Sequence, residues 1–248
     1  MNLLVDIGNS RIKWARHDAA GMSAHQAVFY DKSDFTDLLD TGWKIISPPD
    51  RILVSNVAGK NVAAKLAHWA TKHWQMKPEF VEVTNTAYGV KNAYADISQL
   101  GIDRWLAVIA TWNKYHSAAC IVDCGTAITI DGLGDTGQHL GGLIIPGREI
   151  MQQALFQQTH AISEPGDVTV NSGFANNTAQ GVVTGCSMAI AALIDRIVHD
   201  MCSEFDEKLT CVITGGGADD IINLVSYEFV HEPHLVMQGL SLIAGGNS

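Results

Sequence analysis

Asp6-Ile7-Gly8-Asn9-Ser10-Arg11-Ile12-Lys13 follows the apolar run Leu3-Leu4-Val5 and leads into Trp14. Apolar strand, glycine-containing turn and a second apolar alternation at Ile12 and Trp14 read as a β-hairpin turning at Gly8-Asn9-Ser10. The hairpin places a carboxylate at the end of the first strand and a lysine on the second. An Asp in that position can hold Mg²⁺ or its water shell, turn N–H groups can cap phosphate oxygens, and Lys adds a point charge. Taken alone, the same letters also suit an ordinary β-turn with Asp and Lys solvated.

A second stretch changes the weight of the first. Ala118–Asp123 is another apolar strand ending in Asp, followed by Cys124-Gly125-Thr126 and the strand Ala127–Asp131. Both hairpins share the form strand, Asp, one residue, Gly, small polar residue. Two such turns, one per half, can face each other across a cleft and supply two carboxylates, turn amides and the Thr126 hydroxyl. Thr214-Gly215-Gly216-Gly217-Ala218 lies between a strand and a helix, where glycines admit a ligand close to the backbone. An ordinary strand-to-helix loop fits that last piece as well.

Around these turns the order of elements repeats. The first half reads as strands at 24–30, 51–55 and 80–83, with helices at 34–39, 61–74 and 98–115. The second reads as strands at 140–145, 210–214 and 227–230, with helices from Pro146-Gly147 to Phe156, over 178–201, and over 235–244. Three meandering strands followed by alternating helices and strands, twice over, imply an α/β chain of two similar halves. The boundary falls within or just after the 98–115 helix, giving domains 1–115 and 116–248. The stretch Val168–Ile194 carries no Asp, Glu, Lys or Arg. Its helix is apolar on several faces, so it is expected either to fill the core between domains or to pack against its copy in a homodimer.

With 248 residues, 47% hydrophobic and 17% charged, the chain is globular and long enough for a sizeable core. A net charge of −10 argues against nucleic acid and anionic membrane as partners. The N-terminal apolar segment is short and lacks a basic leader, so the expected location is cytoplasmic. Five cysteines without a C-x-x-C pair suit reduced, mostly buried thiols.

The two Asp turns and the Gly215–Gly217 turn together resemble the phosphate-1, phosphate-2 and adenosine pattern of the actin, sugar kinase and Hsp70 superfamily. Gly101-Ile102-Asp103-Arg104, Tyr94, Gly141-Gly142-Leu-Ile-Ile-Pro146-Gly147 and Asn177-Thr178-Ala179 narrow this. With them the chain resembles the type III pantothenate kinases from residue 6 to about 218. The resemblance implies two ribonuclease H-like (actin-like ATPase) domains with mixed sheets, and ATP-dependent phosphorylation of pantothenate in coenzyme A biosynthesis. It implies that Asp103 is the catalytic base, and that Tyr94, Gly101, Ile102, Asp103 and Arg104 form the pantothenate pocket. Thr178 is then similar to the threonine that reaches the pantothenate of the partner subunit in a homodimer. Asp6, Ile7, Gly8, Asn9, Ser10, Arg11, Ile12, Lys13 and Thr126 would hold ATP, Asp6 with Mg²⁺. Asp123 resembles the ligand of a monovalent cation, K⁺ or NH4⁺. Read without the resemblance, Asp103 beside Arg104 at a helix start is a capping carboxylate kept ionised by its neighbour.

Other letters mislead. Gly132-Leu-Gly134-Asp-Thr-Gly137 spells a dinucleotide fingerprint but leads into a strand, so a hairpin turn is expected. His231-Glu-Pro-His234 lacks further ligands at useful spacing. Competing readings are a kinase of another small hydroxy acid and a non-catalytic regulatory accessory protein like the Bvg accessory factors. Retention of both turns with Asp103 and Arg104 favours catalysis.

Overall fold

Alternation of buried and exposed residues builds two sheets of the same plan. The computed structural model describes residues 1–158, 173–205 and 208–246. In chain order its elements begin with β1 (Asn2–Ile7), β2 (Arg11–Asp18), β3 (Gly21–Phe29), α1 (Phe35–Gly42), β4 (Arg51–Asn56), α2 (Lys60–Trp74) and β5 (Glu79–Phe80). The short strands β6 (Thr86–Ala87) and β7 (Val90–Lys91) and a 3-10 turn at Ile97–Gln99 lead to α3 (Ile102–Tyr115). Then come β8 (Ala119–Cys124), β9 (Ala127–Leu133), β10 (His139–Pro146), α4 (Arg148–Gln158) and α5 (Thr178–Glu204). The chain closes with β11 (Thr210–Thr214), α6 (Ala218–Ile222), β12 (Val230–His231) and α7 (Leu235–Gly245). They form two compact units, Met1–Gly89 with Tyr94–Ala110 and His234–Ser248, and Val90–Ala93 with Thr111–Pro233.

In the first unit the sheet order is β3-β2-β1-β4-β5. β1 pairs antiparallel with β2 and parallel with β4, so it lies at the centre and is buried on both faces. Leu3, Val5, Ile7, Ile12 and Trp14 face α1 and α2, packing with Phe35, Leu39, Val62, Leu66 and Trp69. The expected apolar spacing of the second helix, Val62, Leu66, Trp69 and Ala70, is its buried face. Leu4 and Asp6 share the opposite face by the strand's period of two, and α7 covers β1, β2 and β4. α7 meets α3 at Gly239, where any Cβ would collide with the Leu106 carbonyl.

In the second unit the order is β10-β9-β8-β11-β12, the same plan with β8 in the place of β1. Cys120, Val122 and Cys124 of β8 pack with Ile190, Ile194 and Val198 of α5. All five cysteines are free thiols, four of them buried. Half of the apolar window of α5 is buried inside the unit, which is how the core helix of a folded domain behaves despite a length and composition that could cross a membrane. The remainder is a stripe of Gly181, Gly185, Met188, Ala189 and Ala192 that the single chain leaves exposed. Residues 168–172 of the uncharged stretch lie outside the described residues.

Three expected elements shift. The helix expected over 98–115 breaks in two, because Leu100 is extended (φ −83°, ψ 129°) and Asp96 caps the 3-10 turn by accepting from Ser98 N at 3.0 Å. The strands expected over 80–83 and 227–230 narrow to Glu79–Phe80 and Val230–His231, since each pairs only briefly with its parallel neighbour. The Gly132–Gly137 letters form a tight turn between β9 and β10, with Gly134 N donating to Gln138 O at 2.8 Å. His231 lies 3.6 Å from Asp219, and no group of three metal-ligating side chains occurs among the described residues.

Candidate active site

Strand register assembles the first unit's site. Asp6 stands opposite Lys13 on β2 and opposite Ser55 on β4. Ser55 donates its hydroxyl to Asp6 Oδ1 at 3.0 Å. The Asp6 side chain is only 7% exposed. Burial pushes its pKa from 3.8 up to about 6; Lys13 and the Ser55 hydrogen bond oppose that shift, and the nearby Asp103 carboxylate adds to it. Asp103, almost a hundred residues away in sequence, therefore faces Asp6 closely enough to repel it. Two carboxylates and a lysine converge here, a donor set that attracts a hydrated divalent cation and its phosphate ligands.

The turn between these strands is tight. Gly8 N donates to Arg11 O at 2.9 Å, and a Cβ on Gly8 would lie 3.3 Å from the same carbonyl. Ile7 and Ile12 are buried in the core, so only their backbone can meet a ligand. The Arg11 guanidinium sits 3.9 Å over the Phe29 ring, a cation–π contact on the neighbouring strand. Asn9 is exposed at the tip.

Asp103 and Arg104 occupy the first turn of α3. Gly101 precedes the helix, and a Cβ there would come 2.5 Å from Asp103 Oδ1, so a side chain at this position would push the carboxylate out of its place. Asp103 Oδ1 accepts from Arg104 N at 2.8 Å, the capping contact anticipated for it. Arg104 is 6% exposed, donates from Nη1 to the Tyr94 hydroxyl at 3.0 Å, and lies 5.7 Å from the centre of that ring. A buried guanidinium fixed by a tyrosine is a ready carboxylate receptor. Tyr94, Gly101, Ile102, Asp103 and Arg104 are thus brought together, with Asp6 and Lys13 in the same unit.

The second unit builds its turn from backbone. Thr214 stands opposite Asp123, and Gly217 N donates to Cys124 O at 2.9 Å. A Cβ on Gly215 would lie 2.5 Å from Asp123 Oδ1 and 2.5 Å from Cys124 O. Gly147 N donates to Thr126 O at 2.9 Å, and a Cβ there would lie 2.5 Å from Thr126 O and 2.6 Å from Gly125 O. The Arg148–Asp220 ion pair, 2.8 Å, joins the starts of α4 and α6 on either side of the turn. Burial pushes the Cys124 thiol up to about 12, with Asp123 and Asp220 adding to the shift, so it is inert. Thr178 opens α5, whose cap is Asn177 Oδ1 accepting from Gln180 N at 2.9 Å. It lines an open, mostly apolar hollow of about 450 Å³ with Met151, Leu155, Gly181, Val182, Gly185 and Cys186.

Sequence reading missed Ser55 and Tyr30. Tyr30 donates its hydroxyl to Gly8 O at 2.6 Å, and its own pKa is raised by burial and by Asp6. Ser55 closes a strand adjacent to β1, a signal legible only once the parallel pairing is known. Gly147 belongs to a quoted motif, but nothing in its letters says that its neighbour is the Thr126 carbonyl.

Comparison with known proteins gives a consistent result. The model of a family described as type III pantothenate kinase matches residues 2–200. A type III pantothenate kinase of Nitrosococcus oceani is 42% identical over 253 residues, covering all of this chain and 95% of that protein. Another, from Alcanivorax borkumensis, is 30% identical and covers 98% of each. Among solved structures, a Baf family transcriptional activator from Campylobacter jejuni superposes with a TM-score of 0.65 at 21% identity, covering 99% of this chain and 98% of that one. A protein described as a 2-dehydro-3-deoxygalactonokinase, from Sinorhizobium meliloti, gives 0.64 at 14% identity over 99% of each. The fold is that of the actin-like ATPases and sugar kinases.

The shift at Asp6 has a sign. A carboxyl whose folded pKa is raised stabilises the fold below its unfolded pKa, and that contribution is lost as pH rises through the folded value. In metal-free, nucleotide-free buffer, the ionisation of Asp6 should remove roughly 3 kcal/mol of stability between about pH 4 and pH 6–7. Asp6→Asn keeps an acceptor for Ser55 and should gain stability over wild type across that window, read as the difference between their urea-unfolding curves at each pH. Parallel pH curves for the two proteins would show that the burial carries no such cost.

Proposed function

The chain belongs to the type III pantothenate kinase family and transfers a phosphoryl group from ATP to pantothenate, a step of coenzyme A biosynthesis, and we propose that Asp103 is the base of that transfer. The observation that carries this role is the placement of the Asp103 carboxylate beside Asp6, next to the buried Arg104–Tyr94 pair. Arg104 receives the pantothenate carboxylate, Tyr94 and the Gly101–Ile102 backbone shape the pocket, and Asp103 accepts the proton of the reacting hydroxyl. Phosphoryl transfer asks for alignment and charge neutralisation more than for covalent help, which suits a site with no nucleophile poised in it.

ATP is held by the Asp6–Lys13 turn and by Thr126. Mg²⁺ fits at Asp6, because a buried carboxylate repelled by a second one is stabilised by a cation, and this metal needs only one or two protein carboxylates beside the phosphates. When bound it neutralises charge on the phosphoryl group in transit. Asp123 is the ligand of a monovalent cation, K⁺ or NH4⁺: it is half-buried near the end of β8, and a Cβ at Gly215 would lie 2.5 Å from its Oδ1, so this side of the carboxylate is bordered by bare backbone. The halves 1–115 and 116–248 are two copies of one ATPase-type plan, supported by the shared strand order, except that the chain from His234 onward packs in the first unit. A cytoplasmic location accords with reduced thiols and a cytosolic cofactor pathway.

The working assembly is a homodimer formed through the second unit. β10 is an edge strand that exposes Leu140, Leu143 and Ile144, α4 adds Ile150 and Leu155, and α5 adds Met188. Apolar residues on a sheet edge call for cover, and Thr178 lies within this surface, where it can complete the partner's pantothenate site.

With ATP, Mg²⁺, K⁺ and pantothenate, the protein should release ADP in proportion to pantothenate, and Asp103→Asn should lower kcat by about 10²–10⁴-fold. Undiminished turnover in Asp103→Asn would remove the base. Replacing K⁺ with Na⁺ in the same assay should slow the reaction, and equal rates would leave Asp123 without a cation to hold. Sedimentation should give a dimer. Gly185→Glu should give a folded monomer with little activity, because a Cβ at Gly185 meets nothing within 4 Å among the described residues; a fully active wild-type monomer would rule out the role of Thr178.

A further inference from the structure

Each residue of the Gly8-Asn9-Ser10 turn is held by the short segment that follows β3. Tyr30 donates its hydroxyl to Gly8 O at 2.6 Å and its backbone N–H to Ser10 O at 3.2 Å. Lys32 donates from Nζ to Asn9 Oδ1 at 3.3 Å. The segment is itself anchored: Lys65 of α2 donates to Lys32 O at 2.6 Å and Ser33 O at 3.4 Å. The Tyr30 ring packs edge-on against the buried Phe35, with centroids 5.2 Å apart. The hydroxyl therefore reaches the turn from a ring whose position is fixed by the core.

A peptide unit is planar and trans, so its carbonyl and the following N–H point in opposite directions. A hydrogen bond that fixes Gly8 O on Tyr30 therefore aims the Asn9 N–H away from Tyr30, out of the turn. Oriented amides of this kind bind phosphate oxygens without reorganising. We propose that Tyr30 is a positioning residue for ATP: its hydroxyl sets the Gly8–Asn9 peptide so that the Asn9 amide meets a phosphate oxygen, while Lys32 holds the tip of the turn. The proposal rests on the reading of Asp6–Lys13 as the ATP-phosphate turn.

The test is steady-state kinetics of the full chain carrying Tyr30→Phe, which keeps the ring on Phe35 and removes one hydroxyl. The KM for ATP should rise about 3- to 10-fold, the loss expected for one hydrogen bond. The KM for pantothenate should stay unchanged and kcat should stay within about twofold. A hydroxyl that served stability alone would lower the melting temperature and leave the KM for ATP as it was, and this result overturns the proposal; so does an equal rise in both KM values. Lys13→Ala is measured alongside. If it raises the KM for ATP while Tyr30→Phe does not, the proposal for Tyr30 fails alone; if neither does, the turn itself does not bind the nucleotide. Hydrogen exchange of the Asn9 amide in the wild type gives a second readout independent of any variant. It should slow on adding a non-hydrolysable ATP analogue, and exchange at an unchanged rate overturns the proposal.

Discussion

A carboxylate buried at the end of a central strand governs the geometry of the first unit. Asp6 is kept from solvent because β1 is the central strand of its sheet and both of its faces are covered. Lys13 and Ser55, delivered by strand register, attract the ionised form, yet burial outweighs them and the pKa still lies near 6. Asp103 at the start of α3 makes the imbalance worse. Burying a charge without full compensation is unfavourable, and such imbalance is typical of places where a cation or substrate supplies what the protein omits. The first unit thus buries a carboxylate that its own neighbours compensate only in part.

The two Asp turns look alike in sequence and are built by different means. The first is held by side chains: Ser55 on the carboxylate, Tyr30 on Gly8 O, Lys32 on Asn9. The second is held by the close approach of backbone, with Gly147 against Thr126 and Gly215 against Asp123 and Cys124. A side chain can be trimmed by one atom and the turn merely loosens. A glycine packed against carbonyl oxygens at about 2.5 Å for a would-be Cβ tolerates no side chain at all. The first turn is therefore tunable, and the second is all-or-none.

What the sequence made legible follows from this difference. Both hairpins, the repeated strand order and the apolar face of α2 were readable, because period-two and helical alternation report burial directly. The break before α3 was not, since Leu100 and Gly101 fit a helix pattern by letter, and the break lies in the extended backbone of Leu100 after a 3-10 turn capped by Asp96. The apolar helix α5 left two readings open in the sequence, core filler or packing against a copy, and the single chain buries one face while leaving a stripe exposed. Tyr30 and Ser55 were invisible for a deeper reason. Their role is a hydrogen bond across strands 22 and 49 residues away, and no local pattern encodes a partner at that distance.

The same geometry bears on a regulatory role, since a Baf family transcriptional activator shares this fold. At 21% identity that likeness fixes the arrangement of strands and helices and nothing of the chemistry. A protein that only docks on a partner gains nothing from a buried carboxylate whose pKa is pushed up to about 6, and selection for stability alone would replace Asp6 by a residue that packs without charge. Nor would docking need the Arg104 guanidinium buried against Tyr94. Burial of the Asp6 carboxylate costs stability, and Asp103, Arg104 and Tyr94 lie in the same unit. Phosphoryl transfer to pantothenate, the activity of the family, gives such a group of residues a use that docking does not.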